Sequence, residues 1–567
     1  VALGPTPLPG EGDSAAEAAP RTAWWGAAFV RAWQPGLLLV AALLALPVAV
    51  VVGSLLRFDT AIWGHLAATV LPGYVTNSLL LMLGVGVGTF LLGTGTAWLC
   101  AVCRFPGRRL FEWALLLPLA MPAYIIAYTY TGLLDVAGPV QTGLRAITGW
   151  EVGSYAFPEI RSLTGAALML TLVLYPYVYL LARASFLEQS ASALNVARTL
   201  GLGPWRMFAR VALPMARPAI VGGLSLALME TLADYGTVKY FGVSTFTTGI
   251  FRTWFGMGEA AAAAQLAALL LAFVFAVILL ERASRRGARY HHHGTWQPAP
   301  VFELTGWRAA GAVAACLVPL ALGFLVPAGQ LLAWSLEVAG SVDRGFATLA
   351  GRSVGLAVVT AGLALVLALF LAYGQRLLPG RLPAAAVRVA GMGYAVPGTV
   401  IAVGVVIPFA AFDNALDGWM RATFGVSTGL LLSGTLAALV FAYLVRFLAV
   451  SLNTVESGLG RVRASMDEAA RTLGHGPLAT LRRVHLPLIR GSLLTAMLLV
   501  FVDVLKELPA TLVLRPFDFN TLAVRAFELA SDERLREAAP PALTIVAAGL
   551  LPVILLSRSI TRARDHG

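Results

Sequence analysis

DEAARTLGHGPLATLRRVHLP, residues Asp467 to Pro487, sets a basic, glycine-broken segment between two long apolar runs. Helix formers lead up to Gly474, the pattern restarts after Gly476-Pro477 and ends before Pro487, so the stretch reads as two short helices joined by a sharp bend. A second version, LNVARTLGLGPWRMFARVALP, occupies Leu194 to Pro214. At an offset of 273 residues the two agree at eleven of twenty-one positions, where chance gives roughly one or two. Shared residues include Ala197 and Ala470, Gly201 and Gly474, and Pro214 and Pro487. The chain is an internal duplication.

Its composition says what surrounds the repeat. Of 567 residues, 58% are hydrophobic and only 12% charged, and the charges gather between apolar runs. Runs of about 20 residues, such as Leu163 to Ala182, are long enough to cross a bilayer as helices. Six spans fall near 36–56, 76–103, 111–133, 161–182, 216–236 and 259–280, and six more near 309–336, 353–374, 383–412, 428–448, 491–509 and 538–557. An even number per half predicts parallel repeats. The expected division is a disordered N-terminal tail at 1–35, a first membrane domain at 36–285, a linker at 286–305 and a second membrane domain at 306–567.

The net charge of +12 comes from arginines that flank apolar spans at alternate connections. The positive-inside tendency accounts for them and puts both termini in the cytoplasm. Nucleic acid is excluded as a partner on that placement. Cys100, Cys103 and Cys316 all lie in apolar runs, which argues against a disulfide framework, and the C-x-x-C spacing has no second ligand pair nearby to make a zinc site. The three histidines at 291–293 read as solvated linker. No metal site is assigned.

Glu468-Ala469-Ala470, Gly474 and Val484-His485-Leu486-Pro487, at their spacing, resemble the EAA motif of ABC importer permeases. The first copy departs from it, with Asn195 and Val196 in place of Glu-Ala, while Ala197, Gly201, Leu213 and Pro214 remain. The resemblance implies an all-α membrane protein with the type I ABC importer permease fold, about twelve transmembrane helices in two homologous six-helix halves, in a bacterial inner membrane. It also implies that each bent element is a coupling helix seated on a separate ATPase subunit, present in two copies, with a periplasmic binding protein delivering the substrate. The departure at Asn195 implies unequal roles for the two copies. No G-x-x-x-x-G-K-[ST] occurs, so this chain is not the ATPase, and it needs no cofactor of its own. Two fused six-span domains, together with METLADYGTVKYFGVSTFTTGIFRTWFG (residues 229–256) and KELPATLVLRPFDFNTLAVRAFELA (residues 506–530), are similar to ferric-iron permeases and to those for thiamine. The alternative functions are a permease for thiamine or another small solute, and an ion-coupled secondary transporter.

Four acids are candidates for the pathway. Glu230 lies thirteen residues beyond Arg217, about 20 Å of helix rise, and Asp234 is one turn further on the same face. Asp503 and Glu507 repeat the pair. An ionised acid in mid-membrane costs about 2.5 to 3.5 kcal/mol unless paired or wetted, so these groups should face water or partners. A hard cation suits oxygen ligands. Lys506, three residues from Asp503, offers an ion pair instead. The acid at Asp234 and Glu507 also resembles one in the L-G-E-F-G pattern of sulfate and molybdate permeases, which leaves Glu230 and Asp503 the more informative pair. Whether they line a pathway or bond helices together stays open. Tyr124, Tyr128, Tyr175, Tyr177 and Tyr235 read as interfacial anchors. Arg252 and Arg525, on the outer side, would meet either a binding protein or lipid headgroups.

Overall fold

The computed structural model describes residues 27–56, 60–188, 197, 199–285, 302–341 and 344–565. The tail before residue 27, Asn195 and the linker residues 286–301 lie outside them. Among the described residues ten helices are long and apolar enough to span a membrane, or up to twelve when each of two bent pairs counts as one span. Within the first half the principal helices are α1 (Ala27–Gly53), α2 (Leu71–Val102), α3 (Arg108–Ala114), α4 (Ala123–Leu134), α5 (Leu163–Glu188), α6 (Leu213–Ala233), α7 (Gly236–Tyr240), α8 (Phe246–Phe251) and α9 (Ala260–Arg285). The second half contributes α10 (Gly306–Leu320), α11 (Val326–Glu337), α12 (Arg344–Leu377), α13 (Arg381–Ala390), α14 (Gly398–Phe424), α15 (Leu436–Gly460), α16 (Ala464–Thr472), α17 (Arg490–Lys506), α18 (Pro509–Leu514), α19 (Leu522–Ser531) and α20 (Leu535–Asp565). A short parallel pairing of Cys103–Arg104 with Phe302–Glu303 is the one sheet among the described residues.

Each half is built on three mutually packed helices, α2, α5 and α6 in the first and α12, α15 and α17 in the second. The outer helices cross over. α1 lies on α13 and α14 of the opposite half, so closely that a Cβ at Gly404 would collide with the Pro47 carbonyl. α10 reaches α2 and α3, and α11 reaches α4. Two large apolar clusters result, and neither coincides with a half: one joins α2, α5 and α6 to α10 and α20, the other joins α12, α15 and α17 to α1 and α9.

Three expected spans are corrected. The span at 111–133 is broken, with α3 and the 3-10 turn Leu117–Ala120 meeting α4 at 91°. The span at 383–412 is two pieces, α13 and then α14, which begins at Gly398 and runs to Phe424. Proline is the cause of both breaks: Pro122 and Pro397 stand just before α4 and α14 with extended ψ of 140° and 142°, and proline pushes the residue before it out of helical geometry. The span at 216–236 ends early, because Asp234 is already extended at ψ 131°. Asp234 therefore caps the end of α6 instead of continuing the face that carries Glu230.

Candidate functional site

The broken spans and the ends of α6 and α17 converge on a cavity of about 130 Å³. Glu230, Asp234, Asp503 and Glu507 all line it, with Arg446, Lys506, Tyr177 and Tyr394. Both helix ends are made the same way. Asp234 accepts hydrogen bonds from Thr237 Oγ1 at 2.9 Å and the Val238 amide at 3.1 Å, which satisfies the start of α7. Glu507 accepts the Ala510 amide at 3.0 Å at the start of α18. These two acids therefore shape the chain reversal as well as the cavity wall.

Charge pairing breaks the repeat symmetry. Glu507 is held by Arg446 at 3.0 Å, and Asp503 by Lys506 at 2.8 Å. At the repeat offset the counterparts of these cations are Val173 and Ala233. Glu230 has no hydrogen-bond or ion-pair partner among the described residues; its electrostatic neighbours include the phenols of Tyr177 and Tyr394. The cavity thus sets four carboxylates against two cations. They are spread along its walls, and no group of three or more His, Cys, Asp or Glu among the described residues is placed to hold a metal ion.

The tyrosines are not interfacial anchors. Tyr128 and Tyr175 are fully buried, and Tyr124, Tyr177 and Tyr235 line the cavity. Arg446 and Tyr394 were missed as candidates. A lone arginine within LAALVFAYLVRFLAVSL, residues 436–452, was the available signal, since a charge inside a span must find a partner.

On the other side of Glu230 lie the bent elements. Gly474 and Gly201 both have φ of 77°, in the left-handed region where a Cβ is strained. The bend is closed by the His475 amide donating to the Ala470 carbonyl at 2.9 Å, and by Leu202 to Ala197 at 3.1 Å in the other copy. Each has a π-helical turn at the same repeat position, Phe208–Ala212 and Leu481–His485. They then diverge. In the first copy the helix passes through Pro214 into the membrane as one span, Trp205–Ala233. In the second it continues through Pro487 to Leu488 and turns by 79° into α17. The expected stop before Pro487 is corrected: the helix runs through it to Leu488.

Ala197 and Ala470 are buried, whereas Glu468, Ala469, Pro214 and Pro487 are exposed. Apolar side chains project beside each bend, Leu200 and Trp205 at 75% and 77% exposure, Leu473 and Leu478 at 75% and 57%. Among the described residues, a side-chain latch holds the second bend. Asp467 Oδ2 accepts from Arg376 at 2.6 Å, and its Oδ1 lies 2.7 Å from Nε2 of the buried His485. Tyr373 donates to the Pro477 carbonyl at 2.8 Å. Burial pushes the Asp467 carboxyl up, but hydrogen bonds and charge from His485 and Arg376 win and hold it below the usual carboxylate range. The counterparts of Tyr373, Arg376, Asp467 and His485 are Cys100, Cys103, Leu194 and Ala212, which cannot form such a latch.

Arg252 and Arg525 stand apart from the acids. Arg252 lines a cavity of about 300 Å³ with Lys239, and Arg525 one of about 550 Å³ with Arg352.

The two halves also match a known family twice. Residues 90–290 and 364–565 correspond to the binding-protein-dependent transport system inner membrane component family. The chain belongs to that family. Its two fused copies make it a multi-pass permease subunit of an ABC importer with the type I fold. The chain is 28% identical to the Fe(3+)-transport system permease protein FbpB 2 of Haemophilus influenzae over 491 residues, 85% of this chain and 89% of that protein. It is 29% identical to the molybdenum transport system permease protein ModB of Escherichia coli over 30% of this chain and 70% of that protein. For the E. coli sulfate transport system permease protein CysT the figures are 26%, 36% and 71%.

Proposed function

We propose that this permease carries a hard, multiply charged cation, ferric iron handed over by a periplasmic binding protein, through the acid-lined cavity. The observation that carries this reading is the excess of carboxylates over cations there, with Glu230 unpartnered among the described residues. Similarity to FbpB 2 along 85% of the chain supports iron as the cargo. ModB and CysT are named for molybdenum and sulfate, and each matches about a third of the chain. An oxyanion would need a free cationic group, yet Arg446 and Lys506 are both engaged by acids. Diffuse negative charge without a chelating cluster suits passage, since a conducting site must release what it binds.

Two copies of an ATPase would seat on the bent elements, gripping the exposed Leu200 and Trp205 on one side and Leu473 and Leu478 on the other. Both termini then face the cytoplasm, and Arg252 and Arg525 face an acidic rim of the binding protein. The test is uptake by vesicles holding this chain, its ATPase and its binding protein, offered radiolabelled ferric iron, molybdate or sulfate. ATP-dependent accumulation of iron is expected. Accumulation of an oxyanion in its place would end the cation reading.

A further inference from the structure

We propose that cargo leaves the acid-lined cavity on one side only, through a groove between α9 and α15, and that the Tyr394 ring is the barrier between cavity and groove. This rests on reading the acid-lined cavity as the translocation site. The groove encloses about 830 Å³ and is lined by Phe275 and Ile278 of α9, Leu226 of α6, and Asn453 and Thr454 of α15. Tyr394 lines both spaces. Leu226 is one helical turn before Glu230, toward the bent element, so the groove begins directly beneath the acids.

A duplicated chain should have a matching groove between α20 and α5, and among the described residues that side is closed where α20 packs on Ala120. Gly549 of α20 sits against Ala120, where a Cβ would stand 2.9 Å from the Ala120 carbonyl oxygen. Ala120 is buried. Aligned through Pro122 and Pro397, its counterpart is Ala395, which is half-buried and lines the open groove. The chemistry differs in the same sense. Asn453 and Thr454 occupy the positions that Leu180 and Leu181 hold in the first half, and Tyr394 the position of Leu119. Arg282, exposed at the far end of the groove, adds a polar mouth.

The experiment reads water access, not cargo. In the chain with its three buried native cysteines as background, single cysteines replace Asn453, Leu180 or Ala233, the last lining the acid cavity. The assembled transporter, in inside-out vesicles, is treated with a charged, impermeant thiol reagent. Reaction requires a solvated thiolate. Asn453→Cys should react an order of magnitude faster than Leu180→Cys. Ala233→Cys should be silent with Tyr394 or Tyr394→Phe and become reactive with Tyr394→Ala, each variant being checked for normal co-purification of the ATPase. Equal labelling of Asn453→Cys and Leu180→Cys, or protection of both as in a lipid-filled groove, overturns the one-sided exit. Unchanged protection of Ala233→Cys in the Tyr394→Ala chain overturns the barrier. Failure of the cation reading would look different: iron uptake unaffected by Glu230→Gln, with this labelling pattern intact.

Discussion

The Lys506 ammonium lies 2.8 Å from the Asp503 carboxylate, one turn of the same helix apart, while Glu230 at the equivalent place in the first half faces the cavity with no such partner. The duplicated acids are therefore not equivalent, and removing each charge should do different things.

Glu230→Gln should lower uptake strongly with little change in thermal stability, because no ion pair is lost. Asp503→Asn should destabilise, since it strands a mostly buried ammonium; breaking a fully buried pair costs about 3–5 kcal/mol, and partial exposure of Lys506 reduces that. Asp503→Asn with Lys506→Met should recover the stability. Thermal melts of the purified complex, set beside uptake per folded molecule, check this. A Glu230→Gln chain that unfolds early would make that acid structural.

At the bends, space is not the constraint. Nothing lies within 4 Å of a Cβ placed on Gly201 or Gly474, so a side chain there is resisted by φ alone. Gly474→Val should cost about 1–2 kcal/mol locally and reduce ATPase co-purification, whereas Gly474→Asn should be nearly silent, because asparagine tolerates the left-handed region. Equal effects of the two would point to side-chain bulk at the partner surface.

The Asp467 latch predicts a pH dependence of one sign. Its folded pKa is lowered, so its stabilisation is present above the ordinary aspartate value of about 3.9 and fades as pH falls through the lower folded value. Asp467→Asn should remove that stabilisation at neutral pH and flatten the melting temperature across the acidic window. Proteolysis of the second bend, with the first as internal reference, should rise in parallel.

Orientation is checked by cysteines at Thr142 and Ser531, both exposed. They should react with an impermeant reagent applied to intact cells, and a cysteine at Ser284 should not. The reverse pattern would invert the protein in the membrane.

Apolar runs and arginine placement made the helix count, the duplication and the two glycine bends legible, because hydropathy and local backbone demands are written residue by residue. Breaks inside spans were not, although Pro122 and Pro397 sat in plain view: a proline inside an apolar run is compatible with a kink as well as with a full stop. Glu230, Asp234, Asp503 and Glu507 were found from depth and repetition, and all four line one cavity. Their inequality was hidden, since it depends on Arg446, which reaches Glu507 from a helix 61 positions away in sequence. The tyrosines misled for a related reason. Position near a span end suggests an interface only if the end faces lipid; at Tyr124 a broken span places that end inside, and Tyr175 and Tyr177 lie within the unbroken α5.

The crossing of α1 over α14 also sets the order in which the molecule can be completed. Some 357 residues separate Pro47 from Gly404, so at ~5–20 residues per second α1 waits on the order of 20–70 s for its main partners to leave the ribosome. α10, by contrast, emerges to find α2 and α3 already in the bilayer. Biogenesis is thus as lopsided as charge and exit are, and a chain cut between Arg285 and Phe302 would give one fragment with an unclaimed arm and another with an uncovered wall, each needing the other to become whole.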